Sequence, residues 1–463
     1  MKYRIDYNRT EKTYEPAELV RMFLSPEEIS DDGETIRVPD GLTEKDDVKR
    51  WLYGELSRRT GKTLEWGTLT GVRPVKLFTE YAKSGGPEAA EDRMKRDCFV
   101  SEEKIRLLRE TWEVQSRTMT ADDPKTAALY IGIPFCPTRC LYCSFTSNQK
   151  GPAEIARYLT ALEREIRWTG DAAGRAGIRI ESVYIGGGTP TTLTAEQLSD
   201  LLLWTRESFD LSLSREWTVE SGRPDTITEE KLEAIVSGGA DRISINPQSM
   251  KQETLDRIGR SHTPDDIRAS FALANALKRR LGTREDGRPR LIVNADLIAG
   301  LPGEEPEDFR RSLAEIVALG PENVTVHTLA VKRSSRLHEE DKDFSYRQGT
   351  RVREMLQDAS GTLGEAGYRP YYLYRQKQML GNFENVGYAK PGTENLYNMK
   401  IMEENQTILA LGAGGISKVW YPAENRLERI PNVSNYEIYI ERLDEMLARK
   451  EAGIFATGKD RLK

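Results

Sequence analysis

Between residues 127 and 330 short apolar runs rich in Ile and Val alternate with longer stretches whose apolar residues recur every three or four positions. The first pattern marks buried strands and the second marks amphipathic helices laid over them. Six runs qualify as strands: 128–134, 181–188, 217–222, 242–248, 291–300 and 323–330. Between them, Ile155, Leu159, Leu162 and Ile166 share one helical face, Thr194 with Gln197 forms a capping box, and Gly238–Gly239 closes a further helix. Strand–helix alternation predicts an α/β fold with a parallel sheet. Six strands are fewer than the eight that close a full barrel, so the expectation is a partial (β/α)6 TIM-like barrel with an open side.

The flanks read differently. Residues 1–125 combine a strand over 2–7 with amphipathic helices, as at 44–60, where Val48, Trp51, Leu52 and Leu56 recur at helical spacing. This predicts an α/β N-terminal accessory domain without evident chemistry, followed by the barrel at 126–335. Residues 336–463 predict an α+β C-terminal domain that covers the active site. Its elements are a helix over 346–366, the strand-like YYLYR, the glycine-rich LALGAGG at 409–415 and a last helix over 436–449. The polar loop 281–290 carries no site.

The chain has 463 residues, 38% hydrophobic and 31% charged, which suits a globular enzyme with a substantial core. Net charge is −6 with both signs interspersed, so no footprint for nucleic acid is visible. No run of eighteen apolar residues occurs and the first residues lack the order of a signal peptide, so a cytoplasmic protein without a membrane span is expected. Three of the four cysteines fall within eight positions, which points to a metal or redox site rather than a disulfide framework.

Those three are Cys136, Cys140 and Cys143, in a loop directly after the first strand, at the end of the sheet where barrel enzymes keep their sites. Three thiolates ligate three irons of a four-iron cluster and leave one iron open to a small molecule. Spacing alone leaves a three-cysteine zinc site or a redox pair open as well. The turn Gly186–Pro190 ends the second strand, where glycines let a ligand approach the backbone. Glu220 ends the third strand. Asp296 lies inside an apolar strand and must be paired or functional. His262 and His327 lack ligand-spaced partners and read as structural. Lys332, Arg333 and Arg336 follow the sixth strand and are candidate partners for substrate carboxylates, with Arg375 and Lys377 as second choices.

The string YIGIPFCPTRCLYCSF resembles the radical S-adenosylmethionine (SAM) enzymes, and more narrowly the oxygen-independent coproporphyrinogen III dehydrogenases in the branch called HemZ. TLTGVRPVKL at 68–77 and RQKQMLGNFENVGYAKPGTENLYN at 375–398 extend the likeness over nearly the whole chain. The resemblance implies a [4Fe-4S] cluster on Cys136, Cys140 and Cys143 and one or two molecules of SAM. Tyr130, Gly187, Gly188, Thr189, Glu220, Ala330 and Ile416 would line the first SAM site. Tyr142, Gln248, Arg260 and Asp296 would line the second. It also implies oxidative decarboxylation of two propionates of coproporphyrinogen III, or of a related tetrapyrrole, to vinyl groups in haem biosynthesis. The electron donor would be a flavodoxin or ferredoxin. Two positions depart from the better studied dehydrogenases: Phe145 replaces a cysteine and Gly132 a histidine. A haem chaperone of the same superfamily, or a radical methyl transfer or ring closure, are the alternative functions.

Overall fold

The computed structural model describes residues 1–7, 13–71, 73–119, 123–143, 147–332, 335–341, 344, 349–376 and 379–455. A small parallel pair, β1 (Tyr3–Asp6) and β2 (Glu34–Arg37), opens the chain. The six expected strands follow as β3 (Thr126–Ile133), β4 (Arg179–Gly187), β5 (Glu216–Glu220), β6 (Arg242–Gln248), β7 (Ile292–Ala299) and β8 (Asn323–Thr328). They lie side by side in chain order, all parallel. The predicted helices also form. Pro152–Ala176 buries Ile155, Leu159, Leu162 and Ile166 and ends at Gly177 in the left-handed conformation. Thr194 and Gln197 make both bonds of the capping box.

The sheet does not stop at six strands. The C-terminal segment contributes β9 (Arg369–Tyr374), β10 (Asn385–Ala389), β11 (Thr407–Leu411), β12 (Ile416–Tyr421) and β13 (Arg426–Pro431), and all five join the barrel sheet. β11 pairs parallel to β3, which makes a seventh parallel strand, and β10 pairs antiparallel to β8. Both edges of the expected partial barrel are therefore extended, and the boundary read at residue 336 runs through one continuous sheet. Its cause is edge pairing: an open parallel sheet leaves two rows of unpaired backbone groups, which the C-terminal strands satisfy. The last predicted helix is two, Tyr436–Glu441 and Leu443–Lys450, broken at Arg442.

The boundary read at residue 125 needs a similar correction. Tyr3, Leu19, Val48 and Leu52 belong to a small core of their own. Trp66, Phe78, Met94 and Leu108 instead enter the main core, which continues to Phe455. The Trp66 indole and the Lys104 ammonium both donate to the Glu384 carboxylate, at 2.7 and 2.8 Å. Arg375 is buried and donates to the carbonyls of Leu69 and Asn382, both at 2.6 Å. It is a strut between the N- and C-terminal segments and not a partner for substrate; Lys377 lies outside the described residues.

The seventh parallel strand is fastened by a buried ionic network. Glu165 accepts from the Gly412 N–H at 2.7 Å, the Tyr439 hydroxyl at 2.6 Å and the Asn432 amide at 2.8 Å. Lys450 reaches the Ala410 carbonyl at 2.7 Å, Asn432 at 3.0 Å and Glu165 at 3.2 Å. Both charges are fully buried, so removing one leaves the other uncompensated. Lys450→Met is expected to destabilise the protein by about 3–5 kcal/mol, read from the denaturant midpoint, and the Glu165→Gln/Lys450→Met double variant by less than the single change. Equal loss in both would show that the charges are not coupled.

Candidate active site

Side chains alternate along a strand, and here the two faces differ in chemistry. Leu129, Ile131, Val183, Ile185, Val219, Ile243, Ile245, Val293, Leu297, Val324 and Val326 join the main core under the helices. The intervening positions face the concave side: Tyr130, Tyr184, Thr218, Glu220, Arg242, Ser244, Asn246, Asn294, Asp296, Asn323, Thr325 and His327. An ordinary barrel fills this space with branched aliphatic residues. This one lines it with polar groups.

At the base of this lumen most of those groups find protein partners, although Arg242 Nε and Ser244 Oγ have none. The helix Leu396–Glu403 plugs the opening, and the Glu216 carboxylate accepts from the backbone N–H groups of Leu396 and Tyr397 at 2.8 and 2.7 Å. An anion at a helix start is favourable. Arg242 donates to Asn323 at 2.8 Å and to the carbonyls of Thr393 and Glu394 at 3.0 and 3.1 Å. Lys400 pairs with Glu181 at 2.9 Å. Tyr397 rises from the plug to stack on Tyr184, with ring centroids 4.5 Å apart.

At the mouth partners run out. Ser221 Oγ, Asn246 Oδ1, Gln248 Oε1 and Arg260 Nε are buried yet have no hydrogen-bond partner in the protein. Such groups cost stability unless a ligand satisfies them. Glu220 takes the Tyr184 hydroxyl as a hydrogen-bond donor. Burial lifts its carboxyl to about 7; the Tyr184 bond opposes this rise, and the nearby Asp296 charge adds to it. Asp296 is paired as its buried setting requires, with Asn294 donating at 2.7 Å and His327 Nε2 3.6 Å away.

The cysteine loop overhangs this mouth. Cys136 N–H donates to the Asn148 carbonyl at 3.0 Å and Leu141 N–H to that of Ile258 at 2.9 Å. Arg223, buried, donates to Thr138 at 2.8 Å and to Ser261 at 2.8 Å and is held bidentate by Asp225 at 3.0 Å. Arg260 binds the Tyr142 hydroxyl at 3.2 Å and the Asn246 carbonyl at 2.7 Å. Two arginines from other loops thus fix the segment between the thiols. The predicted turn meets it from β4: Thr189 Oγ1 lies 3.4 Å from Cys136 Sγ, and a Cβ on Gly188 would stand 2.9 Å from that sulfur and 2.5 Å from the Phe135 carbonyl oxygen. Only glycine allows the turn to pass so close.

The donor set fits an iron–sulfur cluster. Burial, opposed by the Thr189 hydrogen bond and helped by the proximity of Cys143 and Cys140, pushes the Cys136 thiol up to about 11. A thiol that burial keeps protonated gives up its proton when it binds a metal. Among the described residues no three or more His, Cys, Asp or Glu side chains converge to hold a single ion. Thiolates on separate irons need no common centre. The orphaned acceptors and the Arg260 donor at the mouth suit a ligand carrying hydroxyl, amino and carboxylate groups, as SAM does.

Of the other predicted residues, Tyr130 stacks beside Tyr184 with centroids 6.4 Å apart. Ala330 forms a bridge with Met379. Ile416 starts β12 next to the Gly412–Gly415 turn and is 45% exposed. Arg336 is exposed and reaches the Arg139 carbonyl at 3.5 Å, while Lys332 is half-buried and its ammonium is lowered by burial. Leu337 N–H donates to the Leu141 carbonyl at 3.2 Å, so this stretch lies against the cysteine loop. Arg333 and Phe145 lie outside the described residues. His262 is buried with Nδ1 3.6 Å from Asp225, and neither ring nitrogen has a hydrogen-bond partner in the protein. Tyr184, Asn246, Arg223 and Tyr397 were missed. Period-two reading inside the predicted strands finds the first two; nothing local marks the others.

Two outcomes test the site. Cys143→Ser is expected to lose the cluster's ultraviolet–visible and electron paramagnetic signatures, whereas Cys98→Ser, buried among N-terminal helices, keeps them; the reverse pattern would reassign the ligands. Glu220→Gln should weaken SAM binding roughly fivefold with iron content unchanged. In the unaltered protein binding should strengthen as pH rises through about 7, because the ionised carboxylate accepts hydroxyl donors more strongly than the acid, and the Gln variant should be flat.

Known proteins resemble this chain. Residues 130–316 match the radical SAM superfamily. The chain is 40% identical over 425 residues to the oxygen-independent coproporphyrinogen-III oxidase-like protein HemZ of Bacillus subtilis, covering 88% of this chain and 82% of that one. It is 28% identical over 301 residues to the heme chaperone HemW of Escherichia coli, covering 64% and 71%. The coproporphyrinogen III oxidase HemN of Escherichia coli, a radical SAM enzyme, superposes with a TM-score of 0.53 at 23% identity over 73% of each chain, which establishes the shared fold. Spanning both the cysteine loop and the flanking segments, the HemZ likeness shows that this chain belongs to the radical SAM superfamily, in the HemZ branch of the coproporphyrinogen III oxidase-like proteins.

Proposed function

We propose that this protein oxidatively decarboxylates propionate side chains of coproporphyrinogen III to vinyl groups, giving protoporphyrinogen IX. The observation that carries this reading is a three-thiolate loop set over a polar lumen, in a chain whose likeness to HemZ covers both. When bound, the cluster and SAM would supply the one-electron chemistry that removes a hydrogen atom from the propionate β-carbon, after which carbon dioxide leaves and a one-electron acceptor takes the remaining electron. Reducing equivalents come from a flavodoxin- or ferredoxin-like donor.

The chain's own residues bind, orient and shield. Glu220 accepts the ribose hydroxyls of the first SAM, with the backbone of Gly187 and Gly188, the Thr189 side chain, Tyr130, Ala330 and Ile416 around it. Gln248, Arg260 and Asp296 meet a second molecule beside Tyr142. Lys332 and Arg336 take substrate carboxylates, and a carboxylate against the half-buried Lys332 offsets the loss of hydration that lowers its ammonium.

The haem-chaperone reading draws on the HemW likeness, which covers less of this chain. Gly132 stands where both the better studied dehydrogenases and the chaperones carry histidine by resemblance, so it departs from both. Its carbonyl accepts the Tyr158 hydroxyl at 2.6 Å, and a Cβ there would meet the Leu411 carbonyl oxygen and the Tyr130 ring, both at 3.4 Å. Coproporphyrinogen deuterated at the propionate β-carbon, turned over anaerobically by the reconstituted protein, is expected to pass its label into 5′-deoxyadenosine. Vinyl product without label there would refute direct abstraction, and stoichiometric haem binding without turnover would favour the chaperone.

A further inference from the structure

Gln248 ends β6 in a conformation its side-chain type resists. Its φ is +68°, in the left-handed region that disfavours a residue with a Cβ. The β6–β7 register shifts between Ile245 and Gln248, so the strain sits on an irregularity at the mouth of the lumen. Its side chain is 6% exposed and its Oε1 has no partner in the protein. Strain of this kind persists only where the surroundings over-determine it.

The next three residues supply that restraint. Ser249 Oγ donates to the Glu304 carboxylate. Met250 N–H donates to Ser312 Oγ at 3.0 Å and Lys251 N–H to Ser249 Oγ at 3.1 Å. The Lys251 ammonium reaches the Gly303 carbonyl at 3.2 Å and Asp308 at 2.8 Å. Residues 249–251 are thereby clamped to the loop and helix that follow β7. Glu304 is itself 3% exposed and faces no Lys or Arg within ion-pair distance among the described residues, and its Oε2 lacks a hydrogen-bond partner. Ser249 is the side-chain bond that holds its other oxygen.

We propose that Glu304, acting through Ser249, is a positioning residue that keeps Gln248 in its left-handed conformation and so presents the carboxamide to SAM. This rests on the reading of Gln248 as a SAM contact. Without the clamp the backbone relaxes toward the extended region, and in a strand such a relaxation turns the side chain toward the other face. Gln at 304 can still accept the Ser249 hydroxyl, whereas Ala cannot.

A double-mutant cycle tests this on the reconstituted, cluster-bearing protein, with SAM affinity measured by equilibrium dialysis and folding followed by thermal melting and iron content. Glu304→Ala and Gln248→Ala are each expected to weaken SAM binding roughly tenfold, with iron content kept. The double variant should bind no more weakly than Gln248→Ala alone, because the clamp acts only through the carboxamide. Glu304→Gln should restore most of the affinity. If Glu304→Ala does not fold, Ser249→Ala is expected to give the same non-additive result. Additive losses, or an unchanged affinity in Glu304→Ala, would overturn the inference while leaving Gln248 as a contact. Unchanged affinity in Gln248→Ala would overturn the reading of Gln248, and the positioning role with it.

Discussion

A sheet that turns polar side chains toward its own concave face has to satisfy them, and the fold divides that task along the barrel axis. At the base Glu216 and Asn323 are answered by the plug helix and the turn before it, Arg242 through its terminal nitrogens, and Lys400 of the plug by Glu181. At the mouth Ser221, Asn246, Gln248 and Arg260 are left with unanswered atoms. The same strands thus carry both the contacts to the plug and the unpartnered groups at the mouth.

The C-terminal segment makes this possible in two ways. It supplies the plug, and it supplies β11, which converts the exposed edge of β3 into an interior strand and brings the Gly412–Gly415 turn against Gly132, next to the cysteine loop. The Glu165–Lys450 network fastens that strand from below the sheet. A buried ion pair of this sort adds little over an apolar substitute of similar volume. Here the pair ties the end of β11 to the helix Pro152–Ala176 and to the helix Leu443–Lys450.

Rigidity around the thiols has its own source. Arg223 and Arg260 come from the loops after β5 and β6 and grip Thr138 and Tyr142, the residues between the cysteines. The clamp from Glu304 to Ser249 does similar work one loop further on. Successive loops at the carboxyl ends of the strands therefore position one another, and small misplacements at such a site are costly to catalysis.

By itself the sequence determined the α/β class, the six strands in order, the capping box at Thr194, the three thiolates and the placement of Glu220, Gln248, Arg260 and Asp296 at one end of the sheet. Each of these is written in local spacing: period two in strands, period three to four in helices, and ligands within one loop. Tertiary structure alone decided that the start of LALGAGG ends a parallel strand beside β3 and its glycines form a turn, that Arg375 is a strut, and that Arg223 and Tyr397 lie beside the lumen and the cysteine loop. Their roles depend on partners between 85 and 306 residues away along the chain, and no local pattern records a contact between distant segments. The strain at Gln248 is of the same kind, since a left-handed glutamine is held by a carboxylate 55 residues beyond its neighbour Ser249, and only packing brings the two together.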